Sequence, residues 1–120
     1  MKIENKFPGK DVSHEDMETK FPLTAKKNKS HKSKFIVSGV EFGGDLIPIF
    51  AGPNMVESQE LIEDVAINVK KMGAHFLRGG AFKPLSFPYR CEKYNETREQ
   101  GIEWLISAKE KAGIPIITEV

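Results

Sequence analysis

Apolar residues in this chain fall into short runs punctuated by Gly and Pro, and the period of the runs changes along the sequence. Leu46-Ile47-Pro48-Ile49-Phe50-Ala51 is continuously apolar and stops at Gly52-Pro53. Unbroken apolarity at strand length predicts a strand covered on both faces, as in a parallel sheet; Pro48, lacking a ladder donor, is tolerable only near the strand start. At Ser58 the period becomes helical. Ser58 suits an N-cap, Gln59 and Glu60 suit the first turn, and Leu61, Ile62, Val65, Val69 and Met72 share a face. Lys70 and Lys71 then sit in the last turn and Gly73 is the stop. Ala74 to Leu77 predicts a second buried strand, and Arg78 to Tyr94 a long loop with Pro84 and Pro88. Ile102, Leu105, Ile106 and Lys109 mark a second helical face with Trp104 off its centre, Gly113 closes it, and Ile114 to Thr118 is a third strand.

Strand, helix, strand, helix, strand is the order of an α/β fold with right-handed crossovers and a parallel sheet. Ahead of it, Phe35 to Val37 and Val40 to Phe42 flank Ser38-Gly39, which predicts a small hairpin cap. Residues 1–33 carry eight lysines and almost no apolar period, so they read as a flexible Lys-rich arm. The organisation expected is an arm over 1–33 and one folded domain over 34–120. Lys26, Lys27, Lys29 and Lys32 form a basic run that could touch RNA or anionic lipid. Without interleaved aromatics it reads as a solvated tail.

Composition narrows the partners. A length of 120 residues suits one domain. Eighteen basic against seventeen acidic residues, a formal charge of +1, argue against a dedicated nucleic-acid surface. Cys91 is the single cysteine, so no intramolecular disulfide and no Cys-based metal cluster can form. It lacks a visible base, because His14, His31 and His75 lie in other segments. No apolar run approaches the ~20 residues that cross a bilayer, and Met1 to Lys10 has no signal core. A cytoplasmic protein with neither nucleic-acid nor membrane partners is expected.

Polar and glycine-rich residues follow each strand: Gly52 to Ser58, Arg78 to Lys83, and Glu119. Binding sites of α/β folds lie at the carboxyl ends of the strands, so Arg78, Lys83 and Glu119 should approach one mouth. In Arg78-Gly79-Gly80-Ala81-Phe82-Lys83-Pro84, a guanidinium fork and an ammonium could close on a phosphate or carboxylate. The glycines would let backbone N–H groups approach the anion.

Three stretches carry a resemblance. Ala51 to Ser58, AGPNMVES, resembles the AGPCSVES motif of 3-deoxy-7-phosphoheptulonate (DAHP) synthases. Leu77 to Pro84, LRGGAFKP, is similar to the start of that family's LRGGAFKPRTSPYSFQG, and Ile116 to Val120 resembles its third barrel strand. Order and separation agree over residues 34–120. The resemblance implies a (β/α)₈ barrel enzyme of the class I DAHP/KDO8P synthase family, here its amino-terminal part with three strands and two helices. It implies a transferase of the shikimate pathway of aromatic amino-acid synthesis, condensing phosphoenolpyruvate with erythrose 4-phosphate. Arg78 and Lys83 would be the catalytic and phosphoenolpyruvate-binding cations, with Ser86 and Glu119 at the substrate site.

Departures from the pattern shape the expectation. The family's metal-ligand Cys is Asn54 here, as in metal-independent sister enzymes that make 3-deoxy-octulosonate 8-phosphate, so no metal ligand is assigned. Leu85 stands where the family has an Arg for the aldose phosphate; Arg90 is the cation nearest in sequence. A closed barrel of this type takes about 250 residues. Three strands would leave bare edges and an uncovered inner face, favouring association with other barrel chains or degradation. The isolated chain is therefore expected to be inactive, a truncated or decayed product. The alternatives are a fragment active only with the missing strands, and a non-catalytic one that binds a phosphorylated metabolite or an intact barrel.

Overall fold

The computed structural model describes residues 14–82 and 96–119. Helix α1 spans His14–Lys20, and a hairpin follows from β1 (Phe35–Val37) and β2 (Val40–Phe42). The strands pair antiparallel, with Phe35 opposite Phe42 and Val37 opposite Val40. Ser38 and Gly39 have φ of 50° and 79°. Two successive positive φ values are the signature of a type I′ turn, whose twist matches the flanking strands, so the hairpin forms where its Ser-Gly pair predicts. No apolar period announces α1, and the segment from its end to Lys34 is mostly exposed, Ala25 being buried.

The remaining elements alternate as expected. They are β3 (Phe50–Ala51), α2 (Gln59–Lys71), β4 (Phe76–Arg78), α3 (Arg98–Ala112) and β5 (Ile116–Ile117). The three strands form one parallel sheet in the order β3-β4-β5. Phe50 lies beside Phe76, Leu77 lies between Ala51 and Ile116, and Arg78 lies beside Ile117. Because side chains alternate along a strand, this register sorts the sheet into two faces. Ala51, Leu77 and Ile116 turn to the helices and pack with Val56, Ile62, Ala66, Leu105, Ala108 and Ile114. Phe50, Phe76, Arg78 and Ile117 turn the other way.

Ser58 caps α2 as predicted, its Oγ accepting the Leu61 N–H at 3.3 Å. Gly113 ends α3 in the left-handed conformation, φ 62°. The buried faces differ from the expected ones. In α2, Ile62 and Ala66 are buried with Val65 and Val69 beside them, while Leu61 and Met72 are exposed. In α3, Gly101, Leu105 and Ala108 are buried while Ile106 is exposed. Small residues occupy the contact because the two helices approach closely, and a pattern built on large apolar side chains passes over them.

The first strand is also shorter than its apolar run. Leu46 and Ile47 are 75% and 84% exposed, and pairing begins only after Pro48, which has no N–H to give. At Ile49 the carbonyl accepts the N–H groups of His75 and Phe76 at 2.9 and 3.2 Å. The Ile49 N–H donates to His75 Nδ1 at 3.0 Å, so an imidazole completes the junction that a ladder carbonyl would otherwise serve. The hairpin docks over the same end of the sheet. Phe42 stacks on Phe35 at 4.8 Å and meets Phe50 and Phe76 at 5.9 and 5.7 Å.

Candidate functional site

The carboxyl ends of β3, β4 and β5 surround an open cleft of about 270 Å³ lined by Phe50, Arg78, Ile117, Thr118 and Glu119. Arg78 is the last residue of β4, and the alternation that buries Leu77 among the helices sends its side chain to the cleft. Nη1 donates to the Pro53 carbonyl at 2.9 Å and to Asn54 Oδ1 at 3.3 Å. Nη2 donates to Glu119 Oε1 at 3.3 Å, forming an ion pair across the strand ends. Those bonds use three of the five guanidinium N–H donors; the others have no partner among the described residues. The side chain is 33% exposed, so an anion can reach it.

Backbone geometry fixes that placement. Gly52 has φ 151° and lies so close to β4 that a Cβ would overlap the Arg78 carbonyl. Beyond β4, a Cβ on Gly79 would meet Val56 Cγ2 at 2.9 Å and Leu105 Cδ2 at 3.0 Å. Gly79 and Gly80 are buried, and the Gly79 N–H donates to Ile117 O at 3.3 Å. This corrects the expectation that the glycines open the backbone toward an anion: at Gly79 the missing side chain permits close packing, and the amide is engaged by β5.

The structure thus brings Arg78, Glu119 and Asn54 together. Lys83 and Ser86 lie outside the described residues, as do Leu85, Arg90 and Cys91. The carbonyl of Pro53, a main-chain group with no signature of its own, is a partner that motif reading missed. The surroundings of Asn54 do not suit a divalent metal. Its amide oxygen, a weak ligand for a borderline ion, already accepts from a guanidinium, and that fixed positive charge would repel a cation. Among the described residues no group of three or more His, Cys, Asp or Glu is arranged to hold a metal.

Residues 20–120 match the model of the DAHP synthetase I family. The chain belongs to that family. It is 29% identical over 119 residues to the phospho-2-dehydro-3-deoxyheptonate aldolase of Thermotoga maritima, covering 98% of this chain and 34% of the relative. It is 30% identical over 93 residues to the 2-dehydro-3-deoxyphosphooctonate aldolase of Fusobacterium nucleatum, covering 73% of this chain and 34% of that one. Its fold is similar to the crystal structure of the Thermotoga maritima DAHP synthase, with a TM-score of 0.63 and 30% identity over 74% of this chain and 24% of that one. A truncated form of 3-deoxy-D-arabino-heptulosonate 7-phosphate synthase from Thermotoga maritima superposes with a TM-score of 0.58 at 30% identity, over 72% of this chain and 29% of that chain. The chain spans about a third of the length of the curated relatives it matches. Family membership therefore reaches back to residue 20, beyond the stretch whose motifs announce it.

Proposed function

We propose that this chain supplies the first three strands and first two helices of a (β/α)₈ barrel, and that Arg78 and Lys83 bind phosphoenolpyruvate there. The reaction would be condensation with erythrose 4-phosphate, with Ser86 and Glu119 at the substrates. One observation carries the reading. Arg78 stands at the carboxyl end of the central strand of a parallel sheet, braced by three acceptors, with donors left for an anion. Phosphoenolpyruvate presents a phosphate and a carboxylate, and a guanidinium whose orientation is already fixed loses little freedom in binding either. The same fixed charge would stabilise negative charge developing as the enol carbon reacts.

Calorimetric titration of the chain with phosphoenolpyruvate tests the binding step. Arg78→Met should weaken it roughly 10- to 100-fold, the worth of one or two charge-assisted hydrogen bonds. Heat unchanged by both Arg78→Met and Lys83→Ala would place the ligand elsewhere. Turnover is tested by adding a polypeptide with the remaining strands of a family member and following phosphoenolpyruvate consumption. A second reading, binding to another barrel chain without turnover, is favoured by the inner face of the sheet, where Phe50 and Ile117 are 42% and 41% exposed. Association of the two polypeptides without consumption would select it.

A further inference from the structure

Behind the cleft, Val56 is fully buried and bonded at both ends of its peptide unit. Its N–H donates to the Gly80 carbonyl at 2.9 Å, and its own carbonyl accepts the Thr97 hydroxyl at 3.0 Å. Its side chain fills the space left by the absent Cβ of Gly79. Next to this, the Arg98 N–H donates to the Ala81 carbonyl at 2.8 Å, and a Cβ on Gly101 would overlap Thr97 Oγ1. Three segments therefore meet at one residue: the loop after β3, the loop after β4 and the start of α3. The loop after β3 is also the one whose Pro53 carbonyl and Asn54 amide hold the Arg78 guanidinium.

From this geometry we infer that Thr97 is a positioning residue for Arg78: its hydroxyl fastens the Val56 carbonyl, and through it sets the loop that aims the guanidinium. Thr97 is not among the described residues that line the cleft. Nor does its hydroxyl cap α3, since it makes no bond to that helix's first-turn amides. The carbonyl is its described partner, and no other side chain in the described residues donates to that oxygen. Removing the donor leaves a polar atom of a buried residue without a partner, which a shift of the loop toward water would relieve. Pro53 and Asn54 lie three and two residues upstream of Val56, so such a shift reaches them directly.

The inference rests on the anion-binding reading of Arg78, and its test separates the two. In the full chain, Thr97→Val keeps the shape and removes the hydroxyl, whereas Thr97→Ser keeps the hydroxyl. Three quantities are read: exchange of the Val56 amide, the ¹⁵N–¹H signal of Arg78 Nε, and phosphoenolpyruvate affinity by titration. Thr97→Val should speed Val56 exchange, move the Arg78 signal and weaken the ligand roughly tenfold, while Thr97→Ser should leave all three near the parent. A parent chain without affinity for phosphoenolpyruvate overturns the functional reading only, since exchange and the Arg78 signal still decide the role of Thr97. Equal effects of Val and Ser, or an Arg78 signal unmoved by Thr97→Val, would overturn the positioning role. Should Thr97→Val fail to fold, loss of affinity in a folded Thr97→Ser chain would overturn it as well.

Discussion

Arg78 shows how little of a candidate site residue's surroundings is written in a motif. The run LRGGAFKP marks the guanidinium, yet its aim depends on a carbonyl, an amide and a carboxylate from two other segments. Gly52 is as constrained as any residue in the site. A side chain there meets the β4 backbone and a φ of 151° that only glycine adopts readily. Gly52→Ala should destabilise the fold by about 1–3 kcal/mol, seen as a lowered denaturation midpoint. An unchanged midpoint would mean that β3 and β4 can separate without cost. Ser38 is the opposite case, a turn residue less suited to its φ of 50° than the alternatives. Asn tolerates that conformation better, so Ser38→Asn should raise stability by roughly 0.5 kcal/mol, a fraction of the left-handed cost of an ordinary residue.

At the level of elements, α2 and α3 are joined by a polar clasp as well as by their apolar contact. Glu63 on α2 accepts from Ser107 Oγ at 2.6 Å, Lys111 Nζ at 2.8 Å and Gln59 Nε2 at 2.8 Å, and its side chain is 12% exposed. The bond from Lys111, then those from Ser107 and Gln59, hold its carboxyl down at about 2 from an ordinary 4.5, against the opposing effect of burial. Lys111 is raised in turn, chiefly by its bond to Glu63. A carboxylate with a depressed pKa in the folded state contributes stability that is complete above 4.5 and disappears as the pH falls toward 2. Chemical unfolding should therefore show Glu63→Gln below the parent at pH 7 and converging with it in acid. Parallel curves would deny the clasp an ionic part.

The elements themselves were largely legible. Ser58 announced α2, Ser38-Gly39 announced the hairpin, and the alternation of runs announced the parallel sheet. What escaped notice has a common cause. Ala66, Gly101 and Ala108 matter through what they lack, and Glu63, Thr97 and His75 chiefly through partners at least 26 residues away in sequence. Leu46 and Ile47 look like strand residues, but Pro48 delays the ladder to Ile49. For the site, the motif supplied Arg78 and Glu119; the bracing around them is tertiary and had no local signal.

For the molecule as a whole, the uneven cover of the sheet decides behaviour. One face is packed by two helices, while among the described residues the other is shielded at its hairpin end alone, by the Phe35, Phe42, Phe50 and Phe76 rings. Parallel sheets are normally covered on both faces, so the open face should seek cover. Ile117→Lys should reduce self-association in sedimentation and weaken complementation by the remaining strands, at little cost to the melting of the chain. If both are unaltered, cover comes from another direction. On β4 a fully buried core side chain and the guanidinium of the cleft fall on consecutive residues, Leu77 among the helices and Arg78 in the mouth. A deletion or insertion of one codon between α2 and this strand would exchange them, driving a guanidinium among the helices and an isobutyl group into the mouth.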